Sequence, residues 1–459
     1  MADSGKITED KKLGEGKRAA LIMLVQLALP VIAQQILSSI LQYVDTAMVG
    51  HLGEAATASV STSTSVNWLI HSLGYGCTIG ILSLTSQAYG RGDKNEIKRL
   101  AALGLRLAII IGLSLTVISL AISPFLPTWM QAAPEIRPAA SSYFFIVSTS
   151  LLFFALNSMC ASCMQAIKDT RTPMIVNIIA NVTNVMLNWL LIYQFRLGTN
   201  GAGLATAIST TIGGVLMFIA FRRKPELSFP LREVRNSSRK LLDRVMEIAL
   251  PVTATSVVSC MGYIVFAGMV SGMGVTNFAA HSIALTAEEL FYIPGYGIRT
   301  ATSTLIGIAI GEKNRRKFLD VRTVSLRLTI LLMCINGTVL HLFAAPLMRL
   351  FTNSQDVITL GAQLLRMVAF IEPFFGVMVV WEGISYGTGR TKAVFVIETI
   401  SMWGIRILST AVVIRAGYGL QQVWLCMMAD NIFKAIALTI YGLRSTTHLE
   451  VFAESPQTA

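Results

Sequence analysis

Long uncharged stretches alternate with short polar ones along this chain. In the first half alone the uncharged runs cover 19–44, 55–90, 107–134, 138–167 and 172–195, and each exceeds the ~20 residues a helix needs to cross a bilayer. None shows the ten-residue, period-two alternation of a membrane-spanning strand. Hydrocarbon offers no partner to an unpaired backbone amide, so the spans must be helical. The uncharged windows and turn signals predict twelve helices: 19–48, 56–88, 101–130, 138–167, 173–195, 200–221, 247–272, 278–310, 324–348, 359–387, 391–414 and 417–443. The predicted class is an all-α polytopic membrane protein.

Composition agrees. Of 459 residues, 53% are hydrophobic and 14% charged, against roughly a quarter charged in a soluble domain, which excludes an ordinary cytoplasmic enzyme. With the N-terminus inside, most Lys and Arg fall in loops on that same side, eight of them between Arg222 and Arg244, while the opposite loops hold only Arg137, Arg196, Arg349 and Arg415. This bias predicts cytoplasmic termini in a multi-pass protein of the cell's inner (plasma) membrane. Basic loops facing an anionic lipid leaflet account for the net charge of +12, so no nucleic acid partner is expected. The polar opening segment, 1–18, holds Lys6, Lys11, Lys12, Lys17 and Arg18 and no cleavable apolar core, so insertion through the first helix is expected. All six cysteines lie in apolar spans and give no disulfide framework. The predicted organisation is an N-terminal segment 1–18, a six-helix bundle 19–221, a polar linker 222–246, a second six-helix bundle 247–443 and a cytoplasmic tail 444–459.

The two bundles are copies. Sliding the chain along itself until position 28 meets position 249 aligns Ala28-Leu-Pro-Val31 with Ala249-Leu-Pro-Val252, Met48-Val49 with Met269-Val270, Gly74-Tyr-Gly76 with Gly295-Tyr-Gly297 and Gly90 with Gly311, giving 19 identities in the 63 positions from 28 to 90. An even number of helices per copy places both in the membrane in the same sense, related by an axis along its normal. That plan suits a two-lobed transporter with alternating access.

Charges present in one copy and absent from the other stand out, because an ionisable side chain at bilayer depth costs at least ~2.5 kcal/mol. Asp45 in the first helix corresponds to Phe266, and Glu288 in the eighth to Asn67. Gln35, Ser38, Gln42 and Asp45 share one helix face, as do Asn177, Asn181, Asn184 and Asn188 in the fifth helix. Two such stripes can build a cation site, the carboxylate giving charge and the amide oxygens neutral ligands; they can equally be hydrogen bonds that hold helices together. His281, Glu288, Tyr292 and Arg299 fall near one face of the eighth helix, a candidate substrate or proton cavity, although eleven residues separate Glu288 from Arg299 by about 16 Å. Asp430 and Lys434, four apart, are expected to pair with each other. Structural pairing is the default for Glu372, Glu382, Glu398 and Arg406.

The repeated Leu-Pro-Val, the segment Val44-Asp-Thr-Ala-Met-Val-Gly50, the segment Ala280-His-Ser-Ile-Ala-Leu-Thr-Ala-Glu288, Pro294-Gly295 and Asn184-x-x-x-Asn188 together resemble the multidrug and toxic compound extrusion (MATE) transporters over about residues 20 to 445. The resemblance implies two pseudo-symmetric six-helix bundles and export of organic, often cationic, compounds in exchange for Na⁺ or H⁺. It assigns cation coupling to Asp45, Asn184, Asn188 and Thr206, with Na⁺ a candidate at Asp45, Asn184 and Asn188. Gln42, Asn181, His281, Glu288 and Tyr292 become candidates for the substrate or proton cavity. Many family members carry aspartate where Asn188 stands, so this chain has one carboxylate there instead of two. The NorM-like branch has a second cation site whose acidic positions are occupied here by Ser259 and Phe375, so the chain looks closer to the DinF-like branch.

The function expected is secondary active, cation-coupled multidrug export, with small organic molecules and membrane lipid as partners, no cofactor beyond the coupling ion, and a monomeric state. A lipid-linked saccharide flippase of the same superfamily is the nearest alternative, disfavoured by twelve spans and few internal arginines. A membrane-embedded enzyme is weaker still, since neither an HExxH nor a Walker-type glycine-lysine motif occurs.

Overall fold

A computed structural model describes residues 2–230, 232–235 and 238–447. The predicted tail lies outside the described residues from 448 onward. Among the described residues there is no strand. The long helices are α1 Ala2–Gly50, α2 Glu54–Arg91 and α3 Lys94–Ile122; α4, made of Arg137–Ser148 and Leu151–Ala166; α5 Arg171–Asn188, continued by a π-helical turn Trp189–Gln194; and α6 Gly198–Arg223. The second copy has α7 Arg239–Ser271, α8 Val275–Gly311 and α9 Arg315–Arg349; α10, made of Gln355–Val368, a 3₁₀ turn Ala369–Ile371 and Glu372–Thr388; α11, which is Lys392–Thr399, a π-helical turn Ile400–Ile407 and Leu408–Arg415; and α12 Leu420–Thr447.

Ten of these helices are long and apolar enough to cross a membrane, and α4, bent by 43°, makes an eleventh span. The remaining one, α8, is less apolar because it holds Glu288, Glu289 and Arg299, yet its 37 residues reach about 55 Å at 1.5 Å per residue, well beyond a 30 Å hydrocarbon layer. Twelve spanning helices result among the described residues, as the hydrophobic pattern predicts.

The repeat is written in the backbone well past the identical residues. Gly53 and Gly274 precede α2 and α8 with φ of 105° and 107°, and the left-handed residues Gly92 and Lys313, Lys168 and Gly389, and Arg196 and Gly417 are paired at the same offset. Asp93 caps α3 through the Glu96 amide, and its counterpart Asn314 caps α9 through the Lys317 amide, satisfying one orphan donor each. The break in α4 at Thr149 and Ser150 matches the 3₁₀ turn in α10. His71 stacks on Phe154 with ring centroids 4.0 Å apart, and the corresponding Tyr292 stacks on Phe375 at 3.8 Å.

By internal packing the chain divides into an N-bundle, Ala33–Thr253, and a C-bundle, Met1–Ile32 with Ala254–Ala459. This differs from the boundary expected at the linker 222–246. Both cuts fall inside helices, at corresponding positions two residues beyond Pro30 and Pro251. The physical reason is close backbone approach. Gly76 of α2 leaves no room for a Cβ against the Ala249 carbonyl of α7, and Gly297 of α8 leaves none against Ile32 of α1. Ala20, Leu24, Leu27 and Ala28 of α1 are buried in the same core as Ile298, Leu305, Val379 and Trp381. Each bundle's core thus includes the opening segment of the other copy's first helix.

Candidate functional site

Within the N-bundle, the period of α5 carries Asn184 and Asn188 to α1 and α6. Asn188, fully buried just before the π-helical turn, donates its amide to the Asp45 carboxylate and, at 3.2 Å, to Asn184 Oδ1. Asn184 in turn donates to Ser209 Oγ at 3.3 Å and lies 3.5 Å from Thr206 Oγ1. Tyr143 of α4, buried, hydrogen-bonds Thr206 and lies within electrostatic reach of Asp45. With Val49, Ile192 and Ala202 it forms an apolar wall. Asp45 is half-buried. It has no basic partner among the ion pairs of the described residues.

Four predicted residues, Asp45, Asn184, Asn188 and Thr206, therefore meet in one place, and Ser209 and Tyr143 join them. The rest of the two stripes disperses. Asn181 donates to Ser38 Oγ at 2.7 Å, Asn177 accepts from Asn157 of α4 at 2.8 Å, and Gln42 is exposed. Those asparagines bridge helices, as the alternative reading allowed. Asn188 Oδ1 is buried with no hydrogen-bond partner. An orphaned carbonyl oxygen on the residue that donates to the Asp45 carboxylate is, with that carboxylate, the kind of oxygen donor that suits a small hard cation such as Na⁺.

In the C-bundle, Glu288 of α8 is buried and accepts from the Tyr292 hydroxyl one turn on, while Glu289, about 100° around the helix, is exposed. His281 lies two turns before Glu288 and accepts from Trp424 Nε1 of α12 at 3.2 Å. Its Nε2 has no partner, and its ring packs edge-on against Phe266. Arg299 does not pair with Glu288; it pairs with Glu382 of α10 at 2.7 Å. Asp430 and Lys434 do approach, at 3.4 Å, but each has a closer partner, Arg406 at 2.7 Å and Glu398 at 2.8 Å. Structural pairing thus accounts for Glu382, Glu398 and Arg406.

Glu372 breaks that default. It is 1% exposed, neither carboxylate oxygen is hydrogen-bonded, and it feels the charge of Glu288. It stands at the first position of the helix that follows the 3₁₀ turn in α10, where the helix dipole partly offsets its charge. The segment Gly383-Ile-Ser-Tyr-Gly387 matches a serine-hydrolase pattern, but it lies inside α10, and its glycines pack against the carbonyls of Arg299 and Ser303. It forms no strand-to-helix elbow.

The sequence profile of the MatE family matches residues 30–190 and again residues 251–412. The chain belongs to the MatE family. The two matches begin at equivalent positions of the repeat, 30 and 251, and fall one on each copy. Membership of this transporter family sets aside the enzyme reading. This MatE chain is 27% identical over 427 residues to "Probable multidrug resistance protein NorM" of Thermotoga maritima, covering 92% of its own length and 91% of the relative. It is 26% identical over 460 residues to "Multidrug resistance protein NorM" of Aliivibrio fischeri, covering 95% and 98%. In fold it is similar to a MOP superfamily transporter from Pyrococcus furiosus, with a TM-score of 0.88 at 20% identity, over 94% of this chain and 97% of that one.

Proposed function

We propose that this protein is a secondary active exporter of organic, often cationic, molecules, driven by exchange against Na⁺ or H⁺ at Asp45. The observation that carries the reading is a single anionic side chain in the N-bundle, without a basic partner, set among amide and hydroxyl groups and next to an orphaned buried oxygen. A cation or proton at Asp45 favours one arrangement of the bundles and its release favours the other; only such differential binding shifts a conformational equilibrium. Asn184, Asn188 and Thr206 supply the neutral ligands, and Glu288, Tyr292 and His281 line a second polar region that handles substrate or protons.

The names of the relatives support multidrug efflux. The DinF-like assignment rests on Ser259 and Phe375 alone, and the relatives carry the NorM name. The charge bias of the loops supports a plasma-membrane protein with cytoplasmic termini. The test is efflux of a fluorescent organic cation from proteoliposomes, imposing a Na⁺ gradient and a pH gradient separately. Transport driven by either one supports the proposal; transport driven by neither, with ATP required, contradicts it.

A further inference from the structure

The repeat gives the polar positions around Asp45 counterparts in the C-bundle, and those counterparts bring cations of their own. Asp45 corresponds to Phe266 and Ser209 to Asp430, while Asn184, Asn188 and Thr206 correspond to Ile405, Ser409 and Met427; farther along the same helix faces Gln42 corresponds to Tyr263 and Asn177 to Glu398. Arg406 sits on the π-helical turn of α11, its Nη2 and Nε 2.7 and 2.8 Å from Asp430 Oδ2. Its guanidinium carbon lies 5.7 Å from the centre of the Phe266 ring and 5.3 Å from that of Tyr263. Ser401 donates to the same Asp430 carboxylate, and Lys434 joins Asp430 to Glu398. All four charged side chains are buried.

We propose that Arg406 is a tethered stand-in for the exchangeable cation. In the C-bundle it occupies the place that the N-bundle offers to a coupling ion, so that this position of the repeat can respond to an ion gradient in one bundle only. The inference deepens the assignment of Asp45 and rests on it.

Where the N-bundle has neutral Ser209 and Asn177, the C-bundle has the carboxylates of Asp430 and Glu398, and buried carboxylates need compensation. Arginine supplies a positive charge that no physiological pH removes and a planar fork that matches a carboxylate. The Phe266 ring presents its face to that cation where the other copy presents Asp45. A buried ion pair is seldom more stable than an apolar pair of the same volume, so its use here serves to fix a charge in place. Removing only the guanidinium would leave Asp430 with too little counter-charge and turn this position into an ion-binding one.

The experiment measures the thermal midpoint of purified protein in detergent against rising NaCl or millimolar guanidinium chloride, with choline chloride as the ionic-strength control. It is made in an Asp45→Asn background, which silences the N-bundle. Asp45→Asn alone should show no saturable response. Asp45→Asn/Arg406→Ala should show a saturable rise of about 3 °C or more, and adding Asp430→Asn should abolish it. A flat response in folded Asp45→Asn/Arg406→Ala overturns the proposal. Where the alanine variant is not recovered folded, Arg406→Gln keeps the bulk and is purified with and without the two cations. Recovery of folded protein only in their presence supports the proposal, and recovery that does not depend on them overturns it. This readout involves no transport, so it is independent of whether Asp45 couples efflux.

Discussion

A carboxylate held in a helical core without a partner costs several kcal/mol, and Glu372 is such a group. Replacing it with glutamine removes the charge and keeps the shape. Glu372→Gln should leave the thermal midpoint of the purified protein unchanged or raise it, and a fall of more than about 3 °C would show that the carboxylate is compensated after all. At this scale the sequence is informative where one helix supplies the pattern. The spacing of Asn184 and Asn188 and the contrast between Asp45 and its counterpart Phe266 mark three residues that do meet. Tyr143 and Ser209 escape such a reading because they arrive from α4 and α6, and no periodicity within one helix points to a neighbour on another. The only available signal is that Ser209 lies one turn after Thr206. Gln42 and Asn181 qualify by sharing a face, but a helix face about 100° wide touches several neighbours. Glu372 cannot be told from Glu382 or Glu398 in the sequence, since only the facing helix decides which carboxylate receives a cation.

Helix existence follows from apolar length, whereas the interruptions do not. Neither π-helical turn carries a sequence mark, yet one begins right after Asn188 and the other contains Arg406. Lys168, Arg196 and Lys313 adopt left-handed backbone without being glycine. Only their counterparts Gly389, Gly417 and Gly92 betray them, through the repeat. The connection between α4 and α5 is held by Asp169, which accepts from the Thr172 amide at 3.0 Å and pairs with Lys224 at the end of α6 at 2.6 Å. Burial alone would raise the Asp169 pKa, but Lys224 and Thr172 outweigh it and hold the carboxyl below its ordinary value. A carboxyl whose folded pKa is depressed stabilises the fold above its unfolded value, near 3.9, and the contribution fades as pH falls through the folded value. Asp169→Asn should therefore lower the thermal midpoint at about pH 7, and the deficit relative to wild type should be smaller at about pH 3. An equal deficit at both pH values would contradict the ion-pair account.

For the whole molecule, duplication and class are legible, because self-similarity at a fixed offset and apolar length survive in any single sequence. The bundle boundary is not. A polar linker such as 222–246 marks where the chain leaves the membrane, while packing units are set by which backbones approach each other closely, and those contacts run through Gly76 and Gly297. The claim is open to a paired comparison. Gly76→Ala, which pushes a methyl into the Ala249 carbonyl and Thr253, should cost about 1–3 kcal/mol. Gly268→Ala, with nothing nearby, should be neutral or stabilise α7 by up to ~1 kcal/mol. Equal effects of the two would count against the segment exchange. The most direct measurement of whether Asp45 carries the coupling cation is gradient-driven efflux by Asp45→Asn beside wild type, in proteoliposomes matched for folded protein. Loss of gradient-driven efflux to the protein-free background, with an unchanged elution profile, is the predicted result. Efflux at the wild-type rate would contradict it.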